Sequence, residues 1–279
     1  APWFWVIMDD PDWFPSQEVA VRDLAIWVAV PCAIAAMVPA IFIKGKSTLE
    51  ENYEPLNTSN IGGSLIKIVQ SFKDAFIIPE FRKICGATFL IFNAFNTVAA
   101  LTYFVIVYRL FNGDAAATGI WVALSGCIGA LGTTFIVIPI VTWMSKKISK
   151  IKAFMWAQGI SIIGYIMMYF LFIPGKPWLY LIALPFFSFG IGSLFTIMMS
   201  MTADVCDLDE LNNGERREGM FGAVYWWMVK LGTALAMLSS GIVLKMVGFD
   251  ESITVQAPEA LINLRLADII IPIIAALIA

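Results

Sequence analysis

The sequence predicts an all-α protein that crosses a membrane several times, and two observations carry this prediction. Of its 279 residues, 59% are hydrophobic and only 14% are charged, with a mean hydropathy of +0.81. Soluble domains are about 45–50% apolar and about 25% charged. The excess lies in long runs without Asp, Glu, Lys or Arg, each near or above the roughly 20 residues that a helix needs to cross a ~30 Å hydrocarbon core: residues 24–43, 84–108, 115–145, 153–175 and 177–203.

Two further stretches follow these runs. Residues 219–247 form an apolar span that is interrupted by Lys230 and, near its end, by Lys245. Residues 266–279 begin another apolar run that stops before it reaches membrane-spanning length, and the chain has no initiator Met. We therefore interpret the chain as an internal fragment of a longer protein, truncated at both ends and with an incomplete last helix.

Positive charges are distributed unequally between the segments that join the runs. Lys and Arg concentrate in residues 44–83, 146–152 and 216–217, which are alternate connections and so fall on one side. The positive-inside rule places that side in the cytoplasm. We expect residues 1–43 to form an extracytoplasmic loop and the last helix of an N-terminal bundle, and residues 44–83 a central cytoplasmic linker with an amphipathic helix. Residues 84–279 would then form a C-terminal transmembrane bundle in the plasma (inner) membrane.

The composition excludes several kinds of site. The net charge of −3 and the lack of a basic aromatic groove predict no nucleic-acid partner. The chain has no histidine, which excludes a histidine proton relay or a His-bearing metal site within it. We predict no catalytic residue, no metal site in the fragment and no cofactor. The four cysteines form no CxxC pair and are interpreted as free thiols that pack as small hydrophobic side chains: Cys32, Cys85, Cys127 and Cys206.

Lys230 is the ionisable side chain that the sequence places deepest in an apolar run. A helix rises by ~18 Å from Glu218 to Lys230, which puts the ammonium near the middle of a bilayer. A charge there is costly and usually faces a polar pathway. Trp226 and Trp227 precede Lys230 by one turn and Thr233 follows it, so this face offers a substrate a cation, indole rings and a hydroxyl. We expect either a carboxylate partner outside the fragment or a neutral lysine.

Other polar and small residues also interrupt the apolar runs. Asn93 and Asn96 place amides in the middle of one run, where such groups hold helices together about as often as they contact a substrate. Gly126, Gly129 and Gly132 recur every three residues. Because small residues let membrane helices approach closely, we interpret these glycines as a surface of close helix packing.

A dense charged segment lies just before the span that contains Lys230. One interpretation is a solvated loop. The other is a cytoplasmic gate, whose ion pairs hold two halves of a transporter together when its cavity faces outward and break when it faces inward. The residues of this candidate gate are Asp204, Asp207, Glu210, Arg216, Arg217 and Glu218.

The charged segment and Lys230 belong to one longer pattern in a single register. It reads Met201-x-Ala203-Asp204-x-x-Asp207-x-x-Glu210-x-x-x-Gly214-x-Arg216-x-Glu218-Gly219, followed by Lys230, Gly232, Gly241 and Gly248-Phe249. This pattern resembles the signature of the glycoside–pentoside–hexuronide:cation symporters, which belong to the major facilitator superfamily. Three residues depart from the family pattern: Asn213 stands where Thr is frequent, Ser149 where a loop glycine is common, and the bulky Trp226 where it would narrow a sugar pocket.

The resemblance implies a major facilitator superfamily fold, of which this chain would hold mainly the C-terminal six-helix bundle and the preceding helix. It also implies uptake of sugars or glycosides by alternating access, coupled to Na⁺ or H⁺ at a site in the missing N-terminal half. Lys230 matches the family lysine that approaches that site, and the charged segment matches the cytoplasmic charge network. The expected partners are a small sugar or glycoside substrate, the lipid bilayer and the missing half-bundle, and we expect a monomer.

Two alternatives to a cation-coupled sugar symporter stay open at the level of sequence. The tryptophans beside Lys230 would also suit a transporter of lysophospholipids or other amphiphiles. A membrane-embedded enzyme or a channel belongs to a different class. An enzyme should bring several catalytic groups to one depth, and a channel should show rings of charge or a filter-like backbone. The sequence shows neither, so we do not expect an enzyme.

Overall fold

The structure, a computed structural model, describes residues 17–42, 69–70, 72–214, 216–250, 253 and 256–279. The expectations for the aromatic N-terminal loop and for most of the linker fall outside these residues. The chain divides into two compact units, Ala1–Gln70 and Ser71–Ala279. The first unit contains helix α1, Gln17–Phe42, whose apolar stretch carries exposed side chains such as Trp27 and Ile34.

The second unit is a bundle of long helices. Among the described residues, six segments are long and apolar enough to cross a membrane: Pro79–Leu110, Ala117–Ile148, Lys150–Leu171, Pro177–Asn213, Glu218–Met246 and Pro258–Ile278. Within them we number the α-helices α2 (Pro79–Val105), α3 (Ala115–Gly132), α4 (Ile138–Ile148), α5 (Lys150–Leu171), α6 (Leu184–Ser193), α7 (Met199–Asn213), α8 (Glu218–Met246) and α9 (Pro258–Ile278). The prediction of an all-α polytopic membrane protein is confirmed.

In the described part of the chain, three of these spans contain a π-helical turn. Ile106–Leu110 continues α2, Thr133–Val137 joins α3 to α4, and Leu194–Met198 joins α6 to α7. A π turn places one residue more in each turn than an α-helix does, and such turns are frequent near functional sites. The remaining irregular element of these spans is the 3₁₀ turn Pro177–Ile182, which leads into α6.

Residues with unusual backbone angles separate the helices on the predicted cytoplasmic side. Ser149, which joins α4 to α5, has φ 111° and ψ 156°, a region that glycine adopts far more readily than serine. This geometry explains why a glycine is common at that position in the family pattern. Gly214 ends α7 in the left-handed conformation with φ 74°, a conformation in which many helices end and which glycine adopts without strain.

Helix α2 lies at the centre of the bundle and packs against both α8 and α9. On the α8 side, Phe81 and Phe221 are fully buried and their ring centroids lie 4.9 Å apart, edge to face. Gly232 of α8 comes so close to α2 that a Cβ there would lie 2.9 Å from the carbonyl oxygen of Phe89. The other strong helix pairs are α5 with α6 and α9 with α5, which complete the core.

Part of the predicted amphipathic helix is described and packs on this bundle. Residues 72–77 are helical, and Ala75 within them is fully buried. The ring of Phe72 meets that of Trp227 with centroids 5.6 Å apart, and Phe76 meets Phe81 at 6.5 Å. The apolar face of this segment therefore contributes to the bundle core. Its placement on the inner membrane surface stays a prediction.

The last helix begins earlier than the sequence predicted. We expected a short apolar run from residue 266, but α9 starts at Pro258 and contains 21 residues, enough to cross a membrane. A proline is well suited to the first turn of a helix, where its missing N–H costs nothing. The charge-free criterion missed the first part of α9 because Glu259 and Arg265 interrupt it, and Arg265 contacts Tyr169 of α5.

Close packing of α5 against α6 depends on Gly164, which predicts the effect of a single methyl group. A Cβ on Gly164 would lie 2.8 Å from the carbonyl carbon of Phe186 and would also meet the backbone nitrogen of Phe187. Backbone atoms cannot move aside as a flexible side chain can, so Gly164→Ala should destabilise the bundle by about 1–3 kcal/mol. The measurement is thermal unfolding of the purified full-length protein in detergent.

Gly159→Ala on the same helix is the matched control. No atom lies within 4 Å of a Cβ at Gly159, so this substitution should be neutral or stabilising by about 0.5–1 kcal/mol through helix propensity alone. Equal melting temperatures for the two variants would contradict the packing that we describe.

Candidate functional site

A cavity of about 420 Å³ opens between α2, α3, α5 and α6. Its volume falls within the range of about 300–1,000 Å³ that is typical of small-molecule sites. Phe95 and Phe187 form part of its apolar wall, with their rings stacked at a centroid distance of 6.1 Å. Its polar groups are all hydroxyls, from Thr102, Ser125, Thr133, Thr134, Tyr180 and Ser188.

The hydroxyls of the cavity wall mostly donate to backbone carbonyls. Ser125 donates to Val122 at 2.7 Å, Thr133 to Gly129 at 2.7 Å, and Tyr180 to Trp121 at 2.8 Å. Each oxygen therefore keeps lone pairs with which to accept a hydrogen bond from a ligand. None of the residues that line this cavity carries a charge. Such a wall suits an uncharged group that has both hydroxyls and an apolar face.

Two of the three glycines that we interpreted as helix-packing residues lie in this wall. Gly126 and Gly129 line the cavity, and a Cβ on either would meet no atom within 4 Å. Gly132 also has no such neighbour. Among the described residues, these three glycines therefore make no close helix contact. Gly126 and Gly129 widen the cavity because they leave the α3 backbone without side chains there.

Lys230 lies on the face of α8 that points away from α2. Gly232 contacts α2, and two residues of helix correspond to a rotation of ~200°, so Lys230 is exposed on nearly the opposite side. Trp226 and Trp227 are 44% and 49% exposed beside it. No hydrogen bond or ion pair joins Lys230 to another residue that the structure describes. The cavity lining does not include Lys230.

The predicted polar contacts Asn93, Asn96 and Thr233 bond to the helices in this structure. Asn93 donates to the carbonyl oxygen of Gly232 at 3.3 Å and so links α2 to α8. Asn96 and Thr233 donate within their own helices, to Phe92 at 2.8 Å and to Val229 at 3.1 Å. For Asn93, this contact corresponds to the packing alternative. The substrate role of the three residues stays a prediction.

The residues of the candidate gate form ion pairs with one another and with α5. Arg216 pairs with Glu210 at 2.7 Å, with Asp207 at 3.5 Å and, most closely, with Glu218. The hydrogen bond to Glu218 and the charges of Glu218 and Glu210 hold the pKa of the Arg216 guanidinium above its ordinary value. Asp204 pairs instead with Lys150, at 2.6 Å. These pairs lie within one bundle, and a role in opening and closing stays a prediction.

Asp209 is a buried member of this region that the sequence did not reveal. It is only 2% exposed and accepts two hydrogen bonds from Arg217, at 2.6 and 2.8 Å. Asn213, one turn further along α7, also donates to it at 2.7 Å. Asp209 follows Asp207 by two residues and therefore points to the opposite side of the helix. The helical spacing of Thr202, Val205 and Asp209 was the signal that could have marked it as inward-facing.

Asp268 is a second buried carboxylate that the sequence did not reveal. It lies in the middle of α9, is 2% exposed, and accepts a hydrogen bond from the hydroxyl of Thr102 at 2.9 Å. Thr102 also lines the cavity. The sequence did not single out Asp268 because it seemed to lie at the edge of a short run, and not ten residues inside a helix that starts at Pro258.

Comparisons with known proteins agree with this architecture. A family model described as MFS/sugar transport protein matches residues 19–279. An uncharacterized symporter of Synechocystis sp. is 30% identical over 230 residues, which make up 79% of this chain and 41% of the relative. A glucuronide carrier protein homolog of Escherichia coli (strain K12) is 26% identical over 257 residues, which make up 92% of this chain and 52% of the relative.

A third relative shows the same pattern of coverage. An uncharacterized symporter of Bacillus subtilis (strain 168) is 25% identical over 218 residues, covering 75% of this chain and 45% of that protein. The chain thus spans about half the length of the curated relatives that it matches. These matches confirm the resemblance that the charged segment and Lys230 indicated.

The contrast between Arg217 and Arg216 gives a prediction about stability. Arg217→Met would leave the Asp209 carboxylate buried without its bidentate partner, and the removal of one member of a buried pair typically costs 3–5 kcal/mol. We expect a marked fall in the melting temperature of the full-length protein. Arg216→Met, the matched control, removes only solvent-exposed pairs and should change the melting temperature little. A larger effect of Arg216→Met than of Arg217→Met would refute this assignment.

Proposed function

Because the chain belongs to the MFS/sugar transport protein family, we propose that it is part of a cation-coupled secondary transporter of sugars or glycosides. The transporter works by alternating access, with the six spans described above forming one of its two halves. The names of the relatives, two symporters and a glucuronide carrier homolog, support this proposal. The coupling ion in the proposal is Na⁺ or H⁺, and its main site lies in the other half.

The observation that carries the proposal is the uncharged cavity between α2, α3, α5 and α6. A sugar presents hydroxyls at its edges and C–H groups on its faces. The hydroxyls of the wall can accept hydrogen bonds from the sugar hydroxyls, and the rings of Phe95 and Phe187 can pack against its C–H faces. A charged substrate group, such as the carboxylate of a hexuronide, would need a cation from elsewhere, and the cavity wall itself supplies none.

Lys230 is the group to which we assign the coupling. It lies about 18 Å along α8 from Glu218 and is exposed, without a hydrogen bond or ion pair to the described residues. An unpaired ammonium at that depth is stabilised when a carboxylate approaches it. In the proposed mechanism, that carboxylate belongs to the cation site of the other half. Binding of the coupling ion would then compete with Lys230 for the same negative charge.

The charged residues at the inner end are the proposed cytoplasmic gate. Arg216 pairs at once with three carboxylates of its own half, those of Asp207, Glu210 and Glu218. Such an exposed network exchanges partners at small energetic cost, because each exposed pair contributes little. Closure of the inner side would let Arg216 or Lys150 pair with carboxylates of the other half. The buried Asp209–Arg217 pair, in contrast, would stay intact through the cycle.

A transporter of amphiphiles is the second candidate, and one observation favours it. Trp226 and Trp227 are about half exposed beside the Lys230 ammonium. That arrangement would also receive an anionic headgroup with an apolar chain. A lysophospholipid is therefore a necessary comparison substrate.

Uptake into vesicles tests the role of Lys230. The full-length protein is reconstituted, and uptake of labelled glucose, a labelled β-glucoside and labelled glucuronic acid is measured with and without an inward Na⁺ or H⁺ gradient. For the sugar that is taken up, Lys230→Ala should reduce gradient-driven uptake by about tenfold or more, as loss of an interaction worth ~1.4 kcal/mol or more would do.

Lys245→Ala is the matched control for this measurement. Lys245 is the other lysine of α8 and lies in its last turn, where it can reach the interface, so its removal should leave uptake unchanged. Equal uptake by the two variants would overturn the role of Lys230. Uptake that is independent of any cation gradient would overturn the symport mechanism, and selective uptake of a labelled lysophospholipid would favour the second candidate.

A further inference from the structure

Asp268 presents a carboxyl group deep in the bundle that the proposed mechanism does not use. It is the eleventh residue of the 21-residue helix α9, so it lies ~15 Å from the start of that helix. Its side chain is 2% exposed. The Thr102 hydroxyl of α2 donates to both of its oxygens, at 2.9 Å to Oδ1 and 3.3 Å to Oδ2.

The groups that face Asp268 do not neutralise a negative charge. From α5, Tyr165 is buried in a cluster with Ile269, the residue that follows Asp268, and Tyr169 follows one turn later. Arg265 on the same helix donates to the backbone carbonyl of Tyr169 and lies 4.3 Å from the centre of its ring. Arg109, in the π turn that continues α2, lies two turns beyond Thr102. Among the described residues, no cationic nitrogen comes within 4.0 Å of the Asp268 carboxylate.

The neighbouring helix α8 adds no partner either, because its lysines Lys230 and Lys245 are exposed. An ionised carboxylate without a cationic partner in a low-dielectric interior costs many times more than one hydrogen bond returns. The neutral acid avoids that cost and can still accept the hydrogen bond from Thr102. The arrangement therefore favours a protonated Asp268 in this conformation.

A path for protons to Asp268 is available through Thr102. The same Thr102 side chain forms part of the cavity wall on one side and bonds Asp268 on the other. The carboxyl group thus lies one side chain behind a space large enough for water. A small separation of α2 from α9 would bring cavity water to the acid.

We propose that Asp268 is a proton-binding site of this half. Its carboxylate takes up a proton from water in the cavity and releases the proton to that water as the helices move. One proton from water joins the carboxylate to give the neutral acid, and the reverse step returns it, with no other bond changed. A proton fits better than Na⁺ because a hard cation requires several oxygen ligands. Only one carboxylate and one hydroxyl converge here, and the described residues contain no group of three or more acidic, His or Cys side chains that could hold a metal ion.

Proton binding by Asp268 does not depend on the proposed function, whereas a role of that proton in transport rests on the proposed cation coupling. Infrared difference spectroscopy tests the site itself. The full-length protein in lipid vesicles should show a carbonyl band of a protonated carboxylic acid that disappears in Asp268→Asn. In Thr102→Val the same band should move to higher frequency, because its carbonyl loses a hydrogen-bond donor. Asp114→Asn, which alters an exposed helix-capping carboxylate, should leave the band unchanged.

Transport by Asp268→Asn tests the coupling. Uptake driven by a proton gradient should fall to the level of simple equilibration, whereas exchange of labelled for unlabelled sugar at equal concentrations should persist, since exchange needs no net proton movement. A band that remains in Asp268→Asn, or proton-driven accumulation that this variant retains, would overturn the proposal. If no sugar is transported by the parent protein, the proposed function fails, while the infrared result still decides whether Asp268 binds a proton.

Thr102→Val protects the test against misfolding. If Asp268→Asn cannot be purified, the frequency of the band in Thr102→Val carries the assignment, because this isosteric change keeps the carboxyl group. An unshifted band in Thr102→Val would then count against Asp268 as its source.

Discussion

The contact of α2 with α8 on one side and with α9 on the other positions both Lys230 and Asp268. Within a bilayer, lipid tails are as apolar as the helices, so packing and interhelical hydrogen bonds must hold the bundle together. Gly232 lets α8 approach α2 closely. Asn93 of α2 donates to the carbonyl oxygen of Gly232 at 3.3 Å, and the hydroxyls of Thr97 and Ser239 lie 2.9 Å apart in a second hydrogen bond between the two helices. This contact fixes the rotation of α8, and thereby turns Lys230 away from α2.

The ion pairs that involve α7 fall into two groups that differ in burial. Asp209 and Arg217 form a buried, bidentate pair whose separation would expose an uncompensated charge, so the pair behaves as a structural element. Arg216 and Lys150 are more exposed and hold their carboxylates in water, where partners exchange at little cost. A gate requires the second kind. The two arginines are adjacent in sequence, yet their surroundings give them opposite properties.

The sequence predicted those features that depend on composition along a single helix. Charge-free runs located the spans, and the depth of Lys230 followed from its distance along α8. The inward-facing carboxylates were missed because a carboxyl group can be buried only beside a suitable partner, and that partner comes from another part of the fold. The partner is Thr102 for Asp268 and Arg217 for Asp209. The glycines of α3 show the same dependence on the rest of the fold. A small residue permits either a close contact or an open space, and only the position of the neighbouring helices decides between them.

The π-helical turns have a consequence for the cavity wall. Thr133 lies in one of them and lines the cavity, and the other two occur in the spans that supply Thr102 and Ile191 to it. A π turn contains one surplus residue, and when that surplus passes along a helix, each residue that it passes rotates by ~100° and advances by ~1.5 Å. The helix stays intact throughout. The side chains that a substrate contacts would then depend on the position of each surplus residue. The cavity of one sequence could thus be lined by different side chains when it opens outward and when it opens inward.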